Sequence, residues 1–126
     1  MAMLDAYRSS GGLARGQEVQ AMFKRGGGPG VAALAGWIAR RELVCFEWQA
    51  QTWLPLFQFN QRDLTPDPQL RPVVAELMPI YDHWEVAIWF SLPNPWLAQR
   101  APVDTLGYDH GAVLDAARAE RFALSG

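Results

Sequence analysis

SLPNPWLAQRAPVDTL, residues 91–106, decides how the carboxy-terminal third is read. An apolar helix runs into it and stops at Pro93, which lacks an amide donor and restricts the residue before it. Asn94 is a good N-cap and Pro95 a good first-turn residue, so a short helix carrying Trp96 and Leu97 follows. Pro102 opens another turn that Gly107 closes. Asp109 then caps a last helix, GAVLDAARAERF, whose Ala112, Ala116 and Ala117 let another helix come close. The expectation is a run of short helices set at proline-fixed corners.

Upstream, Asp82 and Glu85 stand at capping-box spacing ahead of a helix through Phe90. Trp84, Ala87 and Ile88 make one face of it, while Val86, Trp89 and Phe90 cover much of the other. A helix apolar nearly all round is either fully buried or shared with a partner, and the small size of the chain favours sharing. A helix from about Leu70 carries Val73, Val74, Leu77 and Met78, and Pro79 breaks it. NQRDLTPDPQLRP reads as a linker with turn chemistry at Pro66, Asp67 and Pro68.

In the amino-terminal half, residues 1–12 read as a flexible tail ending in Ser9-Ser10-Gly11-Gly12. Leu13, Val19, Met22 and Phe23 predict a helix from Leu13 to about Arg25, weakened in its first turn by Gly16. GGGPG at 26–30 follows a helix and lacks a terminal Gly-Lys-Ser/Thr, so it is a connector rather than a phosphate cradle. Leu34, Trp37, Ile38 and Arg41 predict a second helix from Val31 to Glu42, with Arg40 and Arg41 suited to its negative end. Val44, Phe46 and Trp48 then alternate with Cys45, Glu47 and Gln49. Trp53, Pro55, Phe57 and Phe59 make a second alternating set, and Pro55 places that strand at an edge.

The fold class is therefore α+β, mainly α: short helices plus one two-stranded β-hairpin. Residues 1–12 form the tail, 13–60 a helix-helix-hairpin region that is winged-helix-like, and 61–126 a helical domain.

The chain is 126 residues long, 50% hydrophobic and 19% charged, which suits one globular unit with a real core. Its net charge of −2 gives no overall field that would draw it to nucleic acid. Six tryptophans point to packing or binding without choosing between them. The single Cys45 excludes an internal disulfide and a structural Cys-based zinc site, and it fits a reducing compartment. Asp5 interrupts any leader-like stretch, and no apolar run approaches the ~20 residues of a bilayer span. A cytoplasmic protein without membrane contact is expected.

Catalytic signatures are sparse. His83 and His110 neighbour Asp82 and Asp109, yet adjacent side chains on a helix diverge by about 100°. Ser91 has no elbow glycines, and no His-x-x-x-His or Glu-x-x-His pair stands at metal-ligand spacing. Cys45 reads as a buried inert thiol, and Glu76, Asp82 and Glu85 as capping or solvated carboxylates. The expectation is a non-enzyme with no catalytic residue, cofactor or metal. DNA binding is an alternative, because two helices followed by a hairpin is a winged-helix order and Arg40 and Arg41 could reach phosphates, with Arg15, Lys24 and Arg25 nearby. Against it, Ala32, Ala35 and Ala39 occupy the face that would enter a groove. A small-ligand pocket lined by Trp48, Trp53 and Trp84 is a third possibility.

WFSLPNPWLAQRAPVDTLGYDHGAVLDAARAERF resembles the toxin-binding domain of the Xre/MbcA/ParS class of bacterial antitoxins. The matching positions are Trp89, Pro93, Asn94, Leu97, Arg100, Pro102, Asp104, Leu106, Val113 and Leu114, about the last third of the chain. Pro55-Leu56-Phe57-Gln58-Phe59 is similar to the Pro-x-(Phe/Trp)-Gln-Phe wing that precedes this domain in some members. Ala98-Gln99 stands where the family has glycines, and the upstream region has no clear Xre-type helix-turn-helix signature. The resemblance implies an antitoxin that blocks the active site of a RES-type toxin, a class associated with NAD degradation. It also implies a homodimer and binding to operator DNA. The expected partner contacts are Trp89, Phe90, Asn94, Trp96, Leu97, Arg100, Asp104, Arg118, Arg121 and Phe122. Trp96 is either a hot spot or a plug in the domain's own core.

Overall fold

Leu70, Val73, Val74 and Leu77 recur at i, i+3, i+4 and i+7, and all four are buried on one helical face. Each such side chain contributes roughly 1.5–3 kcal/mol through burial. The helix they make is one of several in a computed structural model that describes residues 2–26 and 29–125. Gly27 and Gly28 of the glycine-rich connector lie outside the described residues.

In chain order, α1 (Ala2–Ala6) leads to β1 (Leu13–Arg15), α2 (Gly16–Gly26), α3 (Val31–Ala39), β2 (Phe46–Trp48) and β3 (Gln51–Pro55). Then come α4 (Leu70–Leu77), α5 (His83–Ser91), α6 (Pro102–Thr105) and α7 (His110–Ser125). The fold is α+β, mainly α. Its antiparallel sheet has three strands in the order β1-β3-β2, one more than the hairpin expected.

Two apolar cores share residues 43–46. Leu43 and Cys45 join Val19, Phe23, Leu34 and Leu54 in the smaller one. Val44 and Phe46 join the larger one, built from α1, α4, α5, α6 and α7. The alternation is that of a strand, but neither face is wet here, because a core lies on each side. α4 lies along α7, where Val113, Ala116 and Ala117 are buried and the two alanines admit close approach.

The amino-terminal segment corrects the expected flexible tail. Met3 and Tyr7 are buried in the larger core, Tyr7 with 0% of its surface exposed. The Tyr7 ring stacks on Phe57 with centroids 5.9 Å apart, and its hydroxyl donates to the Ala87 carbonyl at 2.6 Å. Leu13–Arg15 is a strand instead of a first helical turn, with Leu13 opposite Pro55 and Ala14 opposite Leu54. Three residues are too few for a period to show, and pairing across the chain decides their state.

β3 is central, which corrects the edge position expected from Pro55. β2 pairs only with residues 51–53, so Pro55 lies past its end and its missing amide donor leaves no gap in that ladder. Continued two residues further, the register would set Val44 against Pro55. There the buried side-chain amide of Gln58 takes the place of a strand, accepting from Val44 N–H at 2.8 Å and donating to the carbonyls of Val44 (2.7 Å) and Pro55 (2.8 Å). Phe57 and Phe59 therefore continue no strand; a 3-10 turn, Leu56–Gln58, turns Gln58 inward. The hairpin turns through Gln49 and Ala50, both left-handed at φ 52° and 61°, a two-residue loop made without Asn-Gly.

Candidate partner-binding surface

The prolyl corner is built as the sequence reading expects. Asp82 accepts from Glu85 N–H at 2.8 Å while Glu85 accepts from Asp82 N–H at 3.1 Å, closing the capping box of α5. Leu92 then leaves the helix in an extended conformation, and Asn94 caps the 3-10 turn Pro95–Leu97 by accepting from Trp96 N–H at 2.9 Å. The chain folds back on itself: Asn94 N–H donates to the Arg100 carbonyl at 3.1 Å, and Gln99 N–H to the Asn94 carbonyl at 2.9 Å. Closing so small a loop requires left-handed residues at Ala98 (φ 55°) and Gln99 (φ 69°). Asp109 caps α7 through Ala112 N–H at 3.1 Å.

This loop separates the expected contact residues. Asn94 and Leu97 face inward and hold it, whereas Trp96 is 64% exposed. The indole is therefore no core plug. Trp89, only 7% exposed, and Phe90, fully buried, correct the expectation of one exposed aromatic cluster. They pack edge to face with centroids 5.2 Å apart inside the larger core. Val86, Ala87, Trp89 and Phe90 of α5 are buried against α1, α6 and β2, which accounts for much of its apolar surface, while Trp84 and Ile88 stay partly open. Trp89, Phe90, Asn94 and Leu97 are scaffold.

Arg100 and Asp104 are exposed. Arg100 donates from Nη1 to the Tyr108 hydroxyl at 2.6 Å and lies 5.7 Å from the centre of that ring. Tyr108 and Leu92, both exposed, extend the apolar surface and escaped the sequence reading. Each follows a helix-ending residue, and position after a breaker was the signal available. On α7, Arg118 and Arg121 reach Glu76 of α4 at 3.9 and 3.4 Å, and Phe122 is 82% exposed at the end of the helix.

Between α5 and α7 a groove of about 420 Å³ is lined by Glu85, Ile88, Leu92 and Pro95, with Tyr81, Trp89 and Glu120 among its walls. Glu120 Oε1 accepts from the Tyr81 hydroxyl at 2.7 Å, and Oε2 from the Trp89 indole N–H at 3.3 Å. Burial, and then the Glu120 carboxylate, push the Tyr81 phenol up to about 12. Glu120 was invisible as a site residue because its partners lie some thirty to forty positions away.

Elsewhere, Arg40 pairs with Glu42 at 3.0 Å, and Arg71 reaches the same oxygen at 2.6 Å. Arg40, and then Arg71, hold that carboxyl below the usual carboxylate range. Arg41 donates to the Tyr81 carbonyl at 3.1 Å. Ala32, Ala35 and Ala39 are exposed along α3. Trp48 and Trp53 pack on each other, and Trp84, partly exposed, packs on Phe46. Burial pushes the Cys45 thiol up to about 11, away from thiolate chemistry, with His83 Nδ1 3.6 Å from its sulfur. Among the described residues no His, Cys, Asp and Glu cluster is placed to hold a metal, and no helix is long and apolar enough to cross a membrane.

No family model, curated protein or solved structure matches the chain.

Proposed function

We propose that this chain is a non-enzymatic, antitoxin-like protein that binds a RES-type toxin and occludes its active site. The observation that carries the reading is the closed loop from Asn94 to Arg100, which holds an exposed Trp96 beside an exposed Arg100 on a fixed backbone. Buried Trp and Arg dominate interface hot spots, and a prefixed loop loses little freedom on association. The class of partner rests on the sequence resemblance. Ala98 and Gln99, which replace the family's glycines, nonetheless keep the left-handed backbone that glycine favours. On this reading Trp96, Arg100 and Asp104 contact the toxin, joined by Phe122 and the arginines of α7, and the protein acts in the cytoplasm as a homodimer.

Co-expression with a RES-type toxin encoded beside it, followed by purification on a tagged toxin, tests the reading. A one-to-one complex is expected, and Trp96→Ala should weaken it by about 2 kcal/mol or more. Failure of the wild-type chain to bind any such toxin ends the proposal.

A second reading, operator DNA binding, is favoured by the topology alone. Helix, strand, helix, helix, strand, strand, with β1 beside β3, is the order of a winged helix. Arg40 and Arg41 would then touch phosphates. A salt-sensitive shift of upstream DNA that disappears in the Arg40→Ala/Arg41→Ala double variant supports it; no shift at low salt removes it.

A further inference from the structure

The groove between α5 and α7 carries an unusual combination. Its walls at Ile88, Leu92 and Pro95 are apolar, yet it holds two carboxylates, Glu85 and Glu120, and no cation. Among the described residues neither carboxylate has an ion pair; Glu47, which Thr52 meets, also has none, whereas Glu18, Glu42 and Glu76 do. Arg118 and Arg121 neighbour Glu120 in sequence but turn to Glu76 on the other side of α7. The donors that hold Glu120, the Tyr81 hydroxyl and the Trp89 indole N–H, are neutral. They fix the carboxylate in place without cancelling its charge. A half-buried negative charge, aromatic rings at its base and apolar walls together match one kind of group, a cation on an apolar stem.

We propose that this groove takes a single arginine or lysine side chain of a partner protein, presented between apolar residues. The stem would lie along Ile88, Leu92 and Pro95, and the charged head would reach Glu85 and Glu120 beside Tyr81 and Trp89. A volume of about 420 Å³ lies within the ~300–1,000 Å³ of small-ligand clefts, enough for one long side chain with an apolar neighbour. The proposal concerns what the groove recognises, whichever protein carries it, and stands without the toxin reading.

The test uses the full chain, labelled with ¹⁵N, and a capped peptide Ala-Leu-Arg-Leu-Ala, compared with the same peptide carrying neutral citrulline for arginine. The Trp89 indole resonance, assigned with Trp89→Phe, should move on titration, and the citrulline peptide should bind about tenfold more weakly. Glu85→Gln and Glu120→Gln should each weaken the arginine peptide several-fold. Gln at 85 still accepts the capping-box bond, so that variant decides the matter should the other fail to fold. Equal binding of both peptides, an unmoved indole, or shifts confined to another surface overturns the proposal. So does movement of the same resonances with protein concentration alone, which would give the groove to a second copy.

Discussion

The Tyr7 hydroxyl donates to the Ala87 carbonyl at 2.6 Å, joining residues eighty positions apart inside the larger core. The phenol is fully buried, and burial pushes its ionisation well above the ordinary value near 10. Tyr7→Phe should cost about 1–2 kcal/mol by leaving the carbonyl short of a donor, and Tyr7→Ala about 3–5 kcal/mol by opening a cavity. A raised folded-state value means that the group's contribution is complete below about pH 10 and is lost as pH rises above it. Alkaline titration followed by tyrosine absorbance should show Tyr7 ionising only with unfolding, a step absent from Tyr7→Phe.

Trp96 and Trp89 lie seven positions apart and should behave oppositely. Trp96→Ala should change stability by no more than about 0.5 kcal/mol, since the ring is in solvent. Trp89→Ala should cost about 3–5 kcal/mol and release Glu120 from its indole donor. Urea unfolding of the two variants separates surface from scaffold.

Ala98 and Gln99 hold left-handed backbone without being glycine, as Ala50 does in the hairpin turn. Ala98→Gly and Ala50→Gly should each raise stability by about 0.5–1 kcal/mol, the local relief exceeding the entropy glycine adds to the unfolded chain. Ala98→Val should lower it, because a β-branched residue tolerates that conformation least. Unfolding midpoints of the three variants check the sign.

Gln58 bonds to Val44 N–H, Val44 C=O and Pro55 C=O with a fully buried amide. Gln58→Leu keeps most of the bulk but strands the Val44 amide and both carbonyls, and should cost about 2–4 kcal/mol. Hydrogen exchange should show the amide of Val44 losing protection before those of α4.

His83 is half-buried, and burial first, then Arg41, lower its pKa against the opposing pull of Asp82 and Glu47. A lowered value means the fold prefers neutral imidazole. Stability is full above the ordinary value near 6.5 and declines as pH falls below it. His83→Gln should flatten that decline, measured as the urea midpoint between about pH 7 and about pH 5.

Elements written in local chemistry were legible in the sequence. Asp82 with Glu85, Asn94 with Pro95, and Asp109 each cap within a few residues, and the structure bears them out bond by bond. So does the four-residue apolar face of α4. What the sequence hid depends on distant partners. β1 is a strand only because β3 lies beside it, and Pro55 is tolerated centrally because β2 ends early. Trp89 and Trp96 are the same residue type near the same corner. Only the packing on both sides of α5, and the outward turn after Asn94, tells them apart.

The Tyr7 anchor has a consequence for biosynthesis. Met3 and Tyr7 leave the ribosome well before Ala87 exists, so while the first half of the polypeptide emerges only part of their seat, Val44, Phe46 and Phe57, has been made. The bond from the Tyr7 hydroxyl to Ala87 is therefore closed only after α5 has been synthesised, across a loop of eighty positions whose closure is entropically slow.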